Sequence, residues 1–192
     1  MRKAADVLPA EVVTALTPDD VELVLLGSAA LGTTDPARLT CYDLLGGALG
    51  PWQGSDLDLL AVSATLSADA FFQQARKALP GADLAADAAV PVLRLQTAAG
   101  VHVEVQFAHL APPHVAALRH GQGSEALEAL LYGPHPAGLA AALDASALLR
   151  LPEAYRHQVV AVKRWARRRQ LLGTPFGFPG GFAWALLVKE AS

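Results

Sequence analysis

Apolar and polar positions follow two different periods along this chain, and the change of period divides it. Residues 9 to 17 predict one short helix. Val21 to Leu26 is a compact apolar run that stops at Gly27 and Ser28, which reads as a buried strand entering a tight turn. Gly32 to Gly54 is rich in Gly, Pro, Thr and Asp and reads as a loop or insertion, apart from a short helix around Leu39 to Leu45. Leu57 to Val62 predicts a second strand, and Ala68 to Leu79 a helix with Phe71, Phe72, Ala75 and Leu79 on one side. Val90 to Thr97 and Val101 to Phe107 are alternating segments, with Ala98, Ala99 and Gly100 closing them into a hairpin. In the second segment Val101, Val103 and Val105 face one way, and His102, Glu104 and Gln106 the other.

Beyond Pro112 and Pro113 the period becomes helical, with expected helices at His114 to Arg119, Glu125 to Leu131, Gly138 to Leu149, Pro152 to Gln170 and Phe182 to Val188. A strand-rich part followed by a helical part predicts the α+β class. The expected division is a sheet-bearing domain over residues 1–111 and a helical region over residues 112–192.

Composition narrows the class. With 192 residues, 53% hydrophobic and 17% charged, the chain buries enough surface for one or two small domains, which excludes disorder as its dominant state. No apolar run reaches the roughly 18 residues of a membrane span, and the N-terminus lacks a secretory pattern, so a soluble, cytoplasmic protein is expected. Eleven Arg against four Lys, with abundant Ala and Leu, point weakly to a bacterial source. The lone Cys41 excludes an internal disulfide framework. His102, His109, His114, His120, His135 and His157 show no tight ligand spacing, so a zinc site is not expected. Net charge is -3 but unevenly placed: residues 1 to 144 carry 7 basic and 16 acidic side chains, and residues 145 to 192 carry 8 and 2. That asymmetry fits an acidic, cation-binding part and a basic part that meets phosphates, and it equally fits solvated helix faces.

Asp56 and Asp58 stand one residue apart in an otherwise apolar strand, so alternation puts both on one face with Cα atoms about 6.6 Å apart. Two carboxylates so placed can share divalent cations, although an isolated Asp-Leu-Asp is more often a solvated strand end. A phosphoryl-transfer site uses two metals roughly 3.5 to 4 Å apart, and a third carboxylate commonly completes the cage. Glu104, on the polar face of its strand, is the candidate. Gly27 and Ser28, following a strand, form the kind of turn that aims backbone N–H groups and a hydroxyl at a triphosphate, and also an ordinary turn.

Three blocks together resemble the nucleotidyltransferase superfamily that includes DNA polymerase beta, and within it the eukaryotic-type poly(A) polymerases. They are LLGSAALG (25–32) with SDLDLLAV (55–62), VPVLRL (90–95) with VHVEVQFAHL (101–110), and VVAVKRWARRRQLLG (159–173) with GFPGGFAWALLV (177–188). The resemblance implies a mixed-sheet catalytic domain followed by a partial helical domain. It further implies template-independent transfer of AMP from ATP, or of another nucleotide from its triphosphate, to an RNA 3'-hydroxyl, with release of pyrophosphate. Asp56, Asp58 and Glu104 would hold two Mg²⁺ (or Mn²⁺) ions, with Glu104 nearest the acceptor hydroxyl. Gly27, Ser28, Lys163, Gly180 and Gly181 would contact the nucleotide, the last two at a helix N-terminus.

The sequence departs from the family at several positions. Glu104 stands where Asp is usual, Leu172 where a tyrosine is usual and Tyr132 near the place of an asparagine. The 27 residues between Ser28 and Asp56 exceed the family's usual connection, and the helical region is expected to match only the beginning of the family's helical domain, so RNA binding is expected from an additional domain or partner. Two other functions are carried forward: nucleotidyl transfer to a small molecule or protein, and a catalytically silent nucleotide- or RNA-binding module. Lys163, Arg164, Arg167, Arg168 and Arg169 cluster on one helix but point in several directions. Trp165 and Trp184 are assigned to packing.

Overall fold

The computed structural model describes residues 4, 8–18, 20–26, 57–88, 90–98, 100–119, 153–171 and 181–191. Helix α1 (Ala10–Leu16) leads into strand β1 (Glu22–Leu25). Strand β2 (Leu57–Ser63) is followed by helix α2 (Ala68–Ala78) and strand β3 (Asp83–Ala85), then β4 (Val92–Gln96) and β5 (His102–His109). Among the described residues three helices follow: α3 (Pro112–Arg119), α4 (Glu153–Arg168) and α5 (Gly181–Glu190). The expected helices around 39–45, 125–131 and 138–149 lie outside the described residues.

The strands form one mixed sheet in the order β1-β2-β5-β4-β3. β2 and β5 run parallel, while β1 with β2, β5 with β4 and β4 with β3 are antiparallel. This is the expected α+β architecture. β3 was not expected. Its three residues are too short for alternation to register, and their pairing with β4 makes them a strand. The hairpin between β4 and β5 closes as expected. Gly100 adopts φ 78°, a left-handed conformation suited to glycine, and Thr97 and Val101 bond across it.

The two faces of the sheet are covered differently. One face is apolar along most of its length, with Leu57, Leu59 and Ala61 of β2, Val103 and Val105 of β5, and Leu93 and Leu95 of β4. Helices α1 and α2 supply Val12, Leu16, Phe71, Phe72 and Ala75 to the same core. Phe71 stacks on Phe107 with centroids 5.1 Å apart. Ser67 caps α2 by accepting a hydrogen bond from the Ala70 N–H, and the aromatic pair at positions 71 and 72 turns the helix onto the sheet. On the opposite face only one end is apolar. There Val24, Leu26, Leu60, Val62 and Ala108 pack with Val115 of α3. Arg119 of that helix donates to Glu22 of β1 at 2.6 Å and ties it down. The prolines expected to precede this helix begin it, since a missing N–H costs nothing in a first turn.

Asp20 fastens the covered end. Its carboxylate accepts from the Ser63 hydroxyl (2.8 Å), the Ala64 N–H (2.9 Å), and the Thr65 N–H (3.1 Å) and hydroxyl (2.8 Å). Burial alone pushes this carboxyl up, but the hydrogen bonds outweigh it and hold the group below the usual carboxylate value. A depressed value in the folded state means stability that is present above the unfolded value and lost as pH falls through the folded one. Asp20→Ala is therefore expected to lower unfolding free energy by about 1–2 kcal/mol near neutral pH. Denaturant unfolding should show that deficit shrinking as pH falls through the lowered folded-state value of the carboxyl, where the wild-type group is itself protonated. A deficit that is unchanged by acid would contradict the assignment.

Candidate functional site

The other end of the second face, on which no described helix joins an apolar cluster, holds the polar residues. Alternation from the packed Leu60 brings Asp58 to this face, and alternation from Ala108 brings Gln106, Glu104 and His102. β2 and β5 run parallel in a register that sets Asp58 directly beside Glu104. Adjacent strands are about 4.8 Å apart, so the two carboxyl-bearing positions are lateral neighbours although they stand 46 positions apart in sequence. Antiparallel pairing on the far side sets Arg94 beside Glu104, and β3 sets Asp83 beside Arg94. One transverse row thus crosses four strands: Asp58, Glu104, Arg94, Asp83.

Within that row the Arg94 Nε donates to Glu104 Oε1 at 3.0 Å. The Arg94 side chain is 57% exposed and the Glu104 side chain 35%, so water screens the pair. Beside it, Gln96 Nε2 lies 3.4 Å from His102 Nε2 and donates to the Gly100 carbonyl at 3.4 Å, which fits a hydrogen-bonded structural histidine. Gln106 Oε1 is buried without a hydrogen-bond partner among the described residues.

The register thus places Asp58 and Glu104 at neighbouring positions. The Leu26 N–H donates to the Asp58 carbonyl at 2.8 Å, so the chain leaves β1 towards Gly27 immediately alongside that acid. Gly27, Ser28, Asp56 and Gly180 themselves lie outside the described residues, as do Cys41, Tyr132 and Leu172. Gly181 opens α5. Lys163 and Arg167 are half-buried on successive turns of α4, beside the stripe of Tyr155, Val159, Val162 and Ala166. That stripe meets Ala185 and Val188 of α5.

Two readings change. Trp165 is not a core anchor: it is 47% exposed, edge-on to Trp184 at 6.1 Å, with the Arg169 guanidinium 5.9 Å from its ring centre. Sequence reasoning also passed over Arg94. Counting outward equally from the β4–β5 turn reaches Arg94 and Glu104 together, and that arithmetic was the available signal.

No protein-family model matches the chain. Among curated proteins, a poly(A) polymerase of Candida albicans is 31% identical over 159 residues, covering 75% of this chain and 27% of that protein. The poly(A) polymerase of Schizosaccharomyces pombe is 32% identical over 153 residues, covering 75% and 26%. Terminal uridylyl transferase 4 from Trypanosoma brucei, solved with bound CTP, superposes with a TM-score of 0.52 at 15% identity, over 94% of this chain and 49% of that one. The chain belongs to the nucleotidyltransferase superfamily. Within that superfamily it is poly(A) polymerase-like, and it spans about a quarter of the length of the curated relatives it matches. A solved cytoplasmic RNA terminal U-transferase shares the superfamily fold, with a TM-score of 0.50 at 19% identity over 91% of this chain and 41% of that one.

Gln106 offers a local check on the polar face. An unpaired buried acceptor costs free energy, so Gln106→Leu is expected to leave stability unchanged or raise it by up to about 1 kcal/mol. A loss of comparable size in chemical denaturation would show that Oε1 has a partner.

Proposed function

We propose that this chain transfers a nucleoside monophosphate from a nucleoside triphosphate to an RNA 3'-hydroxyl without a template, releasing pyrophosphate. The observation that carries the reading is the register that seats Asp58 beside Glu104 on the polar end of the sheet. The sequence relatives named poly(A) polymerases favour ATP as donor. Structural neighbours named uridylyl transferases make UTP the rival.

The donor set fits divalent ions. Asp58 and Glu104 are hard oxygen ligands at lateral-neighbour spacing, and Mg²⁺ or Mn²⁺ takes such ligands in preference to nitrogen or sulfur. Asp56, by resemblance, completes the set for two ions. When bound, such ions neutralise charge on the triphosphate and on the reacting oxygens. The chain's own residues divide the remaining work. Glu104 takes the proton of the acceptor hydroxyl on its carboxylate. The freed oxygen forms a bond to the α-phosphorus, the bond to the bridging oxygen breaks, and pyrophosphate leaves in line. Lys163 contributes a compact positive charge to the triphosphate. Gly27, Ser28, Gly180 and Gly181 offer backbone N–H groups, and Ser28 a hydroxyl, to phosphate. Among the described residues no helix is long and apolar enough to cross a membrane, and a cytoplasmic site of action is part of this proposal. A further domain or partner would supply the remaining RNA contacts.

The test incubates the full chain with a 3'-hydroxyl RNA oligonucleotide, Mg²⁺ or Mn²⁺ and each ribonucleoside triphosphate separately, with products resolved at single-nucleotide length. Extension is expected with ATP. Extension with UTP alone would keep the chemistry and overturn the donor, whereas metal-dependent ATP binding without transfer would favour another acceptor or a silent module. Asp58→Asn should cost at least about a hundredfold in transfer with the fold retained. Lys163→Ala should raise KM for the triphosphate about tenfold with a smaller change in kcat. Unchanged kinetics in either variant would remove that residue from the site.

A further inference from the structure

We propose that Arg94 is a positioning residue for the acid pair: it serves as the resident counter-ion of Glu104 and must release that carboxylate before Glu104 can join Asp58 around a divalent ion. The inference rests on the metal-holding reading of Asp58 and Glu104. Its basis is the transverse row. Glu104 has an acid on one side, Asp58, and a cation on the other, Arg94, and the described contact lies on the Arg94 side, with Nε 3.0 Å from Oε1. Arg94 in turn has a second carboxylate-bearing position across from it, Asp83 on β3. The guanidinium therefore has an acid to turn towards when Glu104 is taken.

Three physical points make this an exchange rather than a fixed structural bridge. A half-exposed ion pair is weak, so a doubly charged ion with two carboxylates can displace it. Arginine keeps its charge throughout the working pH range, so competition with the metal, not proton loss, breaks the contact. Glutamate has one more rotatable bond than aspartate, which lets Glu104 swing between a partner on β4 and one on β2 without moving the strand. The usual family aspartate is shorter and has less reach for that exchange. Arg94 thus lowers the metal affinity of the nucleotide-free chain and removes the like-charge repulsion between Glu104 and Asp58 while no ion is present.

The test reads metal binding, not turnover. Mn²⁺ is titrated into the full chain without nucleotide, and free Mn²⁺ is followed by its paramagnetic resonance signal. Wild type is compared with Arg94→Gln, Arg94→Lys, Asp83→Asn and Asp58→Asn, each checked for a native circular dichroism spectrum. Arg94→Gln should bind Mn²⁺ about three- to tenfold more tightly, and Arg94→Lys should stay near wild type. Asp83→Asn, which leaves Glu104 as the only acid at a cross-strand position directly beside Arg94, should weaken binding about twofold. Unchanged or weaker binding in Arg94→Gln, with unchanged binding in Asp83→Asn, would overturn the proposal and leave the metal site standing. Wild-type binding that survives Asp58→Asn would overturn the metal reading first, and this inference with it.

Discussion

The parallel pairing of β2 with β5 is the constraint on which the rest depends. It joins the edge pair β1–β2 to the meander β5–β4–β3, and without it the sheet falls into two pieces. Parallel strands must be linked by a crossover, and here α2 and the β3–β4 hairpin lie in sequence between them. The pairing survives because one face of both strands contributes to the apolar core, with Leu59 and Val105 fully excluded from water. A slip of one residue would turn that row towards the opposite face and bring Asp58 or Glu104 into the apolar core, a far costlier arrangement. The register that stabilises the sheet is therefore the register that brings the two acids together.

The opposite face is divided by the same logic. Helix α3 needs an apolar seat and takes it at the end where Leu60, Val62, Val24 and Ala108 gather. The other end carries Asp58, Glu104, Arg94 and Gln106, which a packed helix would have to desolvate. Asp20 and the Arg119–Glu22 pair hold the covered end closed. The packed helix and the acid pair thus occupy opposite ends of one surface.

Much of this arrangement was legible in the amino-acid order. Alternation in Val101 to Phe107 identified the polar face of β5, and the apolar run from Leu57 to Val62 located β2 nearly to the residue. Helix α2 followed from the spacing of Phe71, Phe72 and Ala75. What alternation does not contain is which strand lies beside which. β3 is too short for a periodic signal, and the Arg94–Glu104 contact belongs to cross-strand register, which a strand-by-strand reading does not compute. Trp165 was read as buried because large aromatics usually are, yet the apolar seam of α4 runs through Val159, Val162 and Ala166 and leaves Trp165 at its margin. Of the residues expected to make the site, Asp58 and Glu104 fall at neighbouring sheet positions. Asp56 adjoins β2 in sequence and, with Gly27, Ser28 and Gly180, is outside the described residues.

The central claim is that Asp58 and Glu104, joined by strand register, hold the divalent ion at which nucleotide meets acceptor. Crystals of the full chain grown with Mn²⁺ and a non-hydrolysable ATP analogue would test it through the anomalous signal of manganese. The account predicts a peak within about 2.0–2.3 Å of carboxylate oxygens from both residues, with the α-phosphate beside it. Manganese bound elsewhere, or held by Asp58 while Glu104 keeps to Arg94 with nucleotide present, would contradict it.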